Sequence, residues 1–253
     1  MLSAQAVDTA NLQLLAQLMQ EPLLKPFVLV GGTALALQLG HRRSRDIDLF
    51  SDGPTPIDGE IKDLLLTKYA MRAEGALPRL RAQEPDWDKA AIQGVIGQVK
   101  TDVVNYGYPL IRPAELYPGT SIRMASAEDI SAMKLAAIGS SGKRLRDFVD
   151  VAALSEKLSL NDMLRAYQER YRVNSFHAER ALHDYSLIDH SMKPEMKGYS
   201  WATVEKRLAA MHRSPNKLFP PLVTQRLIMP EMNQLPVATQ QKAPEPKRRG
   251  PKL

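Results

Sequence analysis

Gly31-Gly-Thr-Ala-Leu-Ala-Leu-Gln-Leu-Gly-His-Arg-Arg-Ser-Arg-Asp-Ile-Asp-Leu-Phe50 is the stretch that decides the reading of this chain. Just before it, Phe27-Val-Leu-Val30 is a short apolar run, which predicts a strand ended by Gly31-Gly32. Thr33-Ala-Leu-Ala-Leu-Gln-Leu39 is a good helix former and stops at Gly40, in the position of a C-cap. Asp46-Ile-Asp-Leu-Phe50 then alternates polar and apolar residues as a half-buried strand does, and Ser51-Asp-Gly-Pro54 ends it. The unit is strand, glycine turn, short helix, strand.

Two chemical features follow from that unit. Asp46 and Asp48 stand two apart on a strand, so both side chains project from one face while Ile47 and Leu49 bury the other. Like charges so close repel unless a cation lies between them, and magnesium, a hard ion that prefers oxygen ligands, suits that place. A lone D-x-D pair is more often a solvated strand face, and its neighbourhood is what raises it. Thirteen residues before Asp46, the Gly31-Gly32-Thr33 turn meets a helix N-terminus. Unpaired amides and the helix dipole favour phosphate there, and glycine permits close approach.

Outward from this unit the periodicity predicts further elements. Val7, Leu12, Leu15, Leu18 and Met19 mark an amphipathic helix over 7–20, stopped by Pro22 and Pro26. A helix over 57–69 turns Ile61, Leu64, Leu65 and Tyr69 inward. Residues 76–112 read as a meander of short β pieces at 76–82, 91–96 and 98–106. From Ser126-Ala-Glu-Asp129, which resembles a capping box, the chain is read as helical: 130–138, then 145–158, 160–172, 176–190 and 201–212 after the break at Gly139-Ser-Ser-Gly142. The predicted fold class is α+β. A small mixed sheet with flanking helices occupies 1–122, and a C-terminal helical bundle occupies 123–212 and completes the site.

The 253 residues are 25% charged and 44% hydrophobic, enough for a self-sufficient core. Cysteine is absent, which excludes zinc-thiolate sites, iron–sulfur clusters and thiol nucleophiles. The first residues, MLSAQAVDTANLQLLAQ, lack the basic and apolar regions of a secretory signal, and no stretch has the ~20 apolar residues of a membrane span. The expected compartment is the cytoplasm, with no membrane partner. The formal charge of +6 lies in the last 41 residues, which hold eight of the 34 Lys/Arg and two of the 28 Asp/Glu, so residues 1–212 carry 26 of each. Eight of the 18 prolines also fall there, and 213–253 reads as a disordered basic tail. It is a solubilising extension or a contact for RNA, membrane phosphates or an acidic partner.

The string 31–50 resembles the signature of the AbiEii/AbiGii-family nucleotidyltransferase toxins, members of the DNA polymerase β-like superfamily. That superfamily's pattern is a Gly-Gly or Gly-Ser turn followed by D-x-D. Arg42, Ser44, Asp46 and Asp48 fall on the family's R-x-S-x-D-x-D positions, and the likeness extends more loosely through about 1–210. It implies a nucleotidyltransferase core over 1–122 that needs NTP and two Mg2+ ions. Asp46 and Asp48 would be metal ligands, assisted by a third carboxylate for which Asp102, in Gln98-Val-Lys-Thr-Asp-Val-Val104, is the candidate. Gly31, Gly32 and Thr33 would hold the β- and γ-phosphates, and Arg42 and Ser44 would steady the nucleotide or the turn itself. Lys134 and the segment Lys143-Arg-Leu-Arg-Asp147-Phe-Val-Asp150 look like the family's later motifs. Lys134 would neutralise the leaving polyphosphate, or else snorkel from the core to water. Arg144 and Arg146 would bind substrate. Asp147 would accept a proton, or cap or pair those arginines.

The resemblance further implies a toxin of a toxin–antitoxin or phage-defence locus that moves NMP from NTP to an acceptor, tRNA being the best-known type. Arg42, Arg43, Arg45, Lys143, Arg144 and Arg146 flank the predicted site and favour an RNA acceptor. A cognate antitoxin is implied as partner, for which a winged-helix regulator encoded upstream would be evidence. Two rivals predict different outcomes: a small-molecule enzyme of the aminoglycoside-modifying kind, and a non-catalytic relative that binds nucleotide or a partner protein. His177, His183 and His190, the stripe Trp201, Val204, Leu208 and Met211, and the pair Tyr167 and Tyr171 read as surface or packing residues.

Overall fold

The computed structural model describes residues 6–74, 91–191, 193–196, 198–223 and 226–227. The strand expected over 76–82 and most of the tail expected over 213–253 lie outside them. The elements are α1 (Thr9–Gln20), β1 (Phe27–Leu29), α2 (Gly31–Leu39), β2 (Ile47–Ser51), α3 (Gly59–Asp63), β3 (Arg72–Ala73), β4 (Ala91–Ile96), β5 (Val99–Val104), β6 (Glu115–Leu116) and β7 (Arg123–Met124). The helices α4 (Ala127–Ser141), α5 (Leu145–Leu154), α6 (Leu160–Tyr171), α7 (Phe176–Leu182) and α8 (Trp201–Arg213) follow. The fold is the α+β class expected: among the described residues, a seven-stranded mixed sheet and eight α-helices.

Sheet order is β3-β4-β5-β2-β1-β7-β6. β1 pairs antiparallel with β2 and parallel with β7, while β2 pairs parallel with β5. This connectivity builds the site. Because β2 returns antiparallel to β1, the glycine turn after β1 and the aspartates at the start of β2 lie at the same end of the sheet. The parallel register then puts Asp102 directly opposite Asp48. Val30 N–H donates to Asp48 O at 2.9 Å, fixing the turn against that strand.

All three β1 residues are buried, and β2 alternates, with Ile47, Leu49 and Ser51 inside and Asp48 and Phe50 on the open face. One continuous core joins Leu12, Leu15, Phe27, Leu35, Leu49 and Phe148. α4 packs against α2, α5, α6 and α7, and so joins the helices to the sheet. Its start is fixed by Ser126, whose side chain accepts the Asp129 N–H at 3.0 Å, as the capping pattern predicts.

Several elements differ from expectation, among them α4, which runs through the break expected at Gly139 and ends only at Gly142. The 57–69 helix is α3 followed by a wider π turn, Leu64–Lys68. The helix expected over 176–190 ends at Leu182, because Asp184 Oδ1 accepts the Ser186 N–H and hydroxyl at 3.0 and 2.6 Å, a local turn that competes with helix. The short strands β6 and β7 have no apolar run to announce them, and β7 lies just past residue 122 yet pairs with β1.

Candidate active site

The strand β1 delivers the chain into Gly31 with φ +70°, a left-handed conformation that glycine adopts without strain. A Cβ at Gly31 would lie 2.7 Å from Asp48 Oδ2, and one at Gly32 would run into the Arg42 guanidinium. The turn thus has glycines because a carboxylate presses on one side and an arginine on the other. The two glycines open α2, whose first amide groups have no acceptor within the helix.

Asp46, Asp48 and Asp102 all line one cleft of about 470 Å3 between the sheet and α4. Asp102 is 7% exposed; its Oδ2 accepts from Gln93 Nε2 at 3.2 Å and faces Lys100 Nζ at 3.4 Å, whereas its buried Oδ1 has no hydrogen-bond partner. Burial, with the charges of Asp102 and Asp46 adding to it, pushes the Asp48 carboxyl up to about 6, against the weaker pull of Lys134 and Lys100. Arg146 Nη1 reaches Asp46 Oδ2 at 3.4 Å. The carboxylates are therefore short of positive charge. An unsatisfied buried carboxylate oxygen beside a second acid with a raised pKa is chemistry that a cation would satisfy. Among the described residues no three His, Asp or Glu side chains stand together as a ready-made metal site, Asp46, Asp48 and Asp102 included. That fits magnesium, which is usually held by one or two carboxylates and completed by substrate phosphates and water.

Behind the turn lies a buried charge network. Arg42 donates from Nε and Nη2 to the two oxygens of Asp150 at 2.6 and 2.9 Å, and from Nη1 to its neighbour Arg43 O at 2.9 Å. His41 Nε2 meets Asp150 Oδ1 at 2.9 Å. Lys134 Nζ is 2.7 Å from Asp150 Oδ2 and 2.8 Å from Asp147 Oδ1, and Arg144 Nε donates to Asp147 Oδ2 at 2.8 Å. Burial opposes the charge on Asp150, yet Arg42 and Lys134 hold its carboxyl well below the usual carboxylate range. Burial also pushes the His41 imidazole below its usual value, even beside Asp150.

These positions sort the expected site residues. Gly31, Gly32, Arg42, Ser44, Asp46, Asp48, Asp102, Lys134, Arg144 and Arg146 all reach the cleft. Thr33 does not present its side chain there: it is buried, and its hydroxyl donates to Asp46 O and lies 2.9 Å from Ser44 Oγ, so it ties the turn to the start of β2. Arg42 serves the turn, held under Gly32 by Asp150. Lys134 does not snorkel to water, because two carboxylates hold its ammonium inside. Of the six expected rim cations, Arg42 is buried on Asp150, Arg43 pairs with Asp8 and Glu195, and Arg45 pairs with Glu195 at 2.5 Å. Arg144 pairs with Asp147 and Arg146 with Asp46, each keeping part of its side chain exposed at the rim, and Lys143 stands outside the cleft lining. The histidines 177, 183 and 190 are not in the cleft; His183 stacks edge-on with His212 at 4.4 Å, and His190 with Trp201 at 5.9 Å. Sequence reasoning passed over Asp150, although an acid three residues after Asp147 on an otherwise apolar helix was the available signal. It also passed over Gln93, Lys100, Phe50 and Tyr106.

The fold and the cleft define a nucleotidyltransferase. The chain belongs to the nucleotidyl transferase AbiEii toxin family of type IV toxin–antitoxin systems, whose model matches residues 13–214. An uncharacterised protein of Aquifex aeolicus is 30% identical to it over 155 residues, 59% of this chain and 68% of that one. In fold it is similar to the crystal structure of a candidate nucleotidyltransferase from H. pylori, with a TM-score of 0.51 at 17% identity, over 82% of this chain and 94% of that one. Among the described residues no helix is long and apolar enough to cross a membrane.

Proposed function

We propose that this toxin-family enzyme transfers NMP from an NTP to an RNA acceptor, a tRNA 3′ end by preference, in a Mg2+-dependent reaction in the cytoplasm. The observation that carries the reading is the contact between the Gly31-Gly32 turn and the Asp48 carboxylate, 2.7 Å from where a Gly31 Cβ would be. It sets a phosphate cradle against a cluster of under-neutralised acids.

In the transfer, the acceptor hydroxyl oxygen bonds to the α-phosphorus while the bond from that phosphorus to the α–β bridging oxygen breaks. Pyrophosphate leaves, and the hydroxyl proton passes to solvent. Asp46, Asp48 and Asp102 would hold the divalent ions, whose chemistry there is to stabilise charge on the attacking and leaving oxygens. The amides of Gly31, Gly32 and Thr33 hold the terminal phosphates at the helix N-terminus. Lys134 spends two of its three donors on Asp147 and Asp150 and turns the third toward the polyphosphate. Arg144 and Arg146, at the exposed rim, receive the acceptor backbone. Asp147 acts by holding Lys134 and Arg144 in place. A cognate antitoxin is the expected partner, and we propose a winged-helix regulator encoded beside the enzyme.

The test is incubation of the full chain with Mg2+, α-labelled NTPs and total RNA. Label in RNA matched by released pyrophosphate is the expected result. Label on an aminoglycoside instead, or NTP binding with no pyrophosphate, would overturn it in favour of one of the two rivals.

A further inference from the structure

The end of the cleft away from the glycine turn is built of aromatic rings. Phe50 follows Asp48 by two residues on β2, and Tyr106 follows Asp102 by four along β5 and its continuation, so both continue the line of the carboxylates. Their centroids are 5.0 Å apart. Tyr171, at the end of α6, brings its hydroxyl to 2.9 Å from that of Tyr106. All three rings are partly exposed and line the cleft, and across it α4 presents the small side chains of Ala136 and Ala137. The result is a slot with an aromatic wall, its Phe50 and Tyr106 rings inclined at 44° to each other, and a low opposite side.

The wall is held from behind. Tyr106 N–H donates to Ser51 Oγ at 2.7 Å, and the Arg170 guanidinium sits 5.4 Å from the Tyr106 ring centroid. Arg170 is itself locked in a fully buried ion pair with Asp129, which also accepts the Ile111 and Arg112 amides at 2.9 and 3.2 Å. A buried charged pair and a cap on the following loop are more than packing two tyrosines against a core requires. They keep exposed rings in one orientation.

We propose that Phe50, Tyr106 and Tyr171 form the subsite for the base of the incoming NTP. The proposal rests on the nucleotidyl-transfer reading and deepens it. Along a strand, two residues span about 7 Å, so the rings begin about one ribose beyond the acids that face the α-phosphate. Aromatic faces stack any base, and this contact is sequence-tolerant. Selectivity comes from the hydroxyl pair: one O–H donates to the other oxygen and Arg170 also engages the Tyr171 hydroxyl, which leaves one O–H donor to meet a base edge.

The experiment is equilibrium binding of the four NTPs and of inorganic tripolyphosphate to the full chain, with Phe50→Leu, Tyr106→Leu and Tyr171→Phe beside wild type. Loss of a stacking ring in Phe50→Leu or Tyr106→Leu is expected to weaken NTP binding ~10-fold or more. Tripolyphosphate, which touches only the charged end, is expected to bind every variant within twofold of wild type. Tyr171→Phe, which keeps the ring and the packing, is expected to flatten the preference among NTPs. Variants that keep wild-type NTP affinity and preference overturn the assignment, as does equal loss of tripolyphosphate, which would make the wall structural. A Tyr106→Leu variant that binds NTP normally but needs more RNA for half-maximal transfer would place the acceptor's base there and overturn it too. Wild type that binds tripolyphosphate but shows no gain from any base refutes this subsite alone; wild type that binds neither refutes the nucleotidyl-transfer reading with it.

Discussion

Replacing Asp150 by asparagine probes the frame on which the site stands. Asp150 is fully buried and is shared by Arg42, His41 and Lys134 at 2.6 to 2.9 Å. Asparagine keeps the shape but removes the charge, so the arginine loses its bidentate partner and the lysine keeps only Asp147. Removing one side of a buried ion pair costs about 3–5 kcal/mol, because the charge left behind stays desolvated. For a chain of this size each kcal/mol moves Tm by about 2–4 °C, so a fall of about 6–20 °C is expected by thermal denaturation at pH 7. The pH dependence supplies a second check. A carboxyl whose pKa is lowered in the folded state contributes stability in full above its unfolded value of about 3.9, and that contribution is lost as pH falls through the folded value. The gap between wild type and Asp150→Asn is therefore expected to persist from pH 7 to 5, widening as the His41 imidazole, no longer supported by Asp150, is held further below its usual value, and to close well below pH 4. A variant within about 0.5 kcal/mol of wild type at pH 7, inside the range of ordinary surface changes, would refute the reasoning.

Other perturbations have defined outcomes. Gly32→Ala places a methyl against an Arg42 guanidinium that Asp150 holds fast; overpacking of this kind costs about 1–3 kcal/mol, and displacement of the turn is expected to slow transfer ~100-fold in a single-turnover assay. Asp48→Asn removes a carboxyl raised to about 6 in the fold. The wild-type group stabilises the fold only while protonated, below about pH 4, and that contribution is lost as pH rises through 6. In urea titrations without divalent cation at pH 7, the variant is thus expected to be more stable by up to about 3 kcal/mol, and inactive; equal stability would show that the acids are not in conflict. Lys134→Met leaves Asp147 and Asp150 without their shared ammonium. Denaturant unfolding at pH 7 is expected to show a loss of about 3–5 kcal/mol, and an unchanged midpoint would refute the buried network.

The strand, glycine turn, helix and strand over 27–51 were legible because each carries a local signal: apolar β-branched residues, paired glycines, a run of helix formers closed by Gly40, and strict alternation around Asp46 and Asp48. The capped start of α4 was legible for the same reason. What decides the site is less local. Asp102 could be named from its strand, but its place opposite Asp48 comes from the parallel pairing of β5 with β2, which no short pattern encodes. Asp150 and Arg42 are 108 residues apart, and only the fold brings them together. Arg43 and Arg45 look like rim cations in the sequence and are instead taken up by Asp8 and Glu195. Tyr171 reads with Tyr167 as an ordinary packing residue and Tyr106 carries no local signal, because the hydroxyl contact of Tyr106 and Tyr171 joins a strand continuation to a helix 65 positions away.

The central claim is that Asp46, Asp48 and Asp102 grip divalent cations across from the glycine turn. Titration of Mn2+ followed by electron paramagnetic resonance, with a non-hydrolysable NTP present, measures this directly. Bound ions in wild type that are lost in Asp46→Asn/Asp48→Asn, with circular dichroism unchanged, are the predicted result. A wild-type chain that leaves all Mn2+ free, or a double variant that binds as much as wild type, would contradict it.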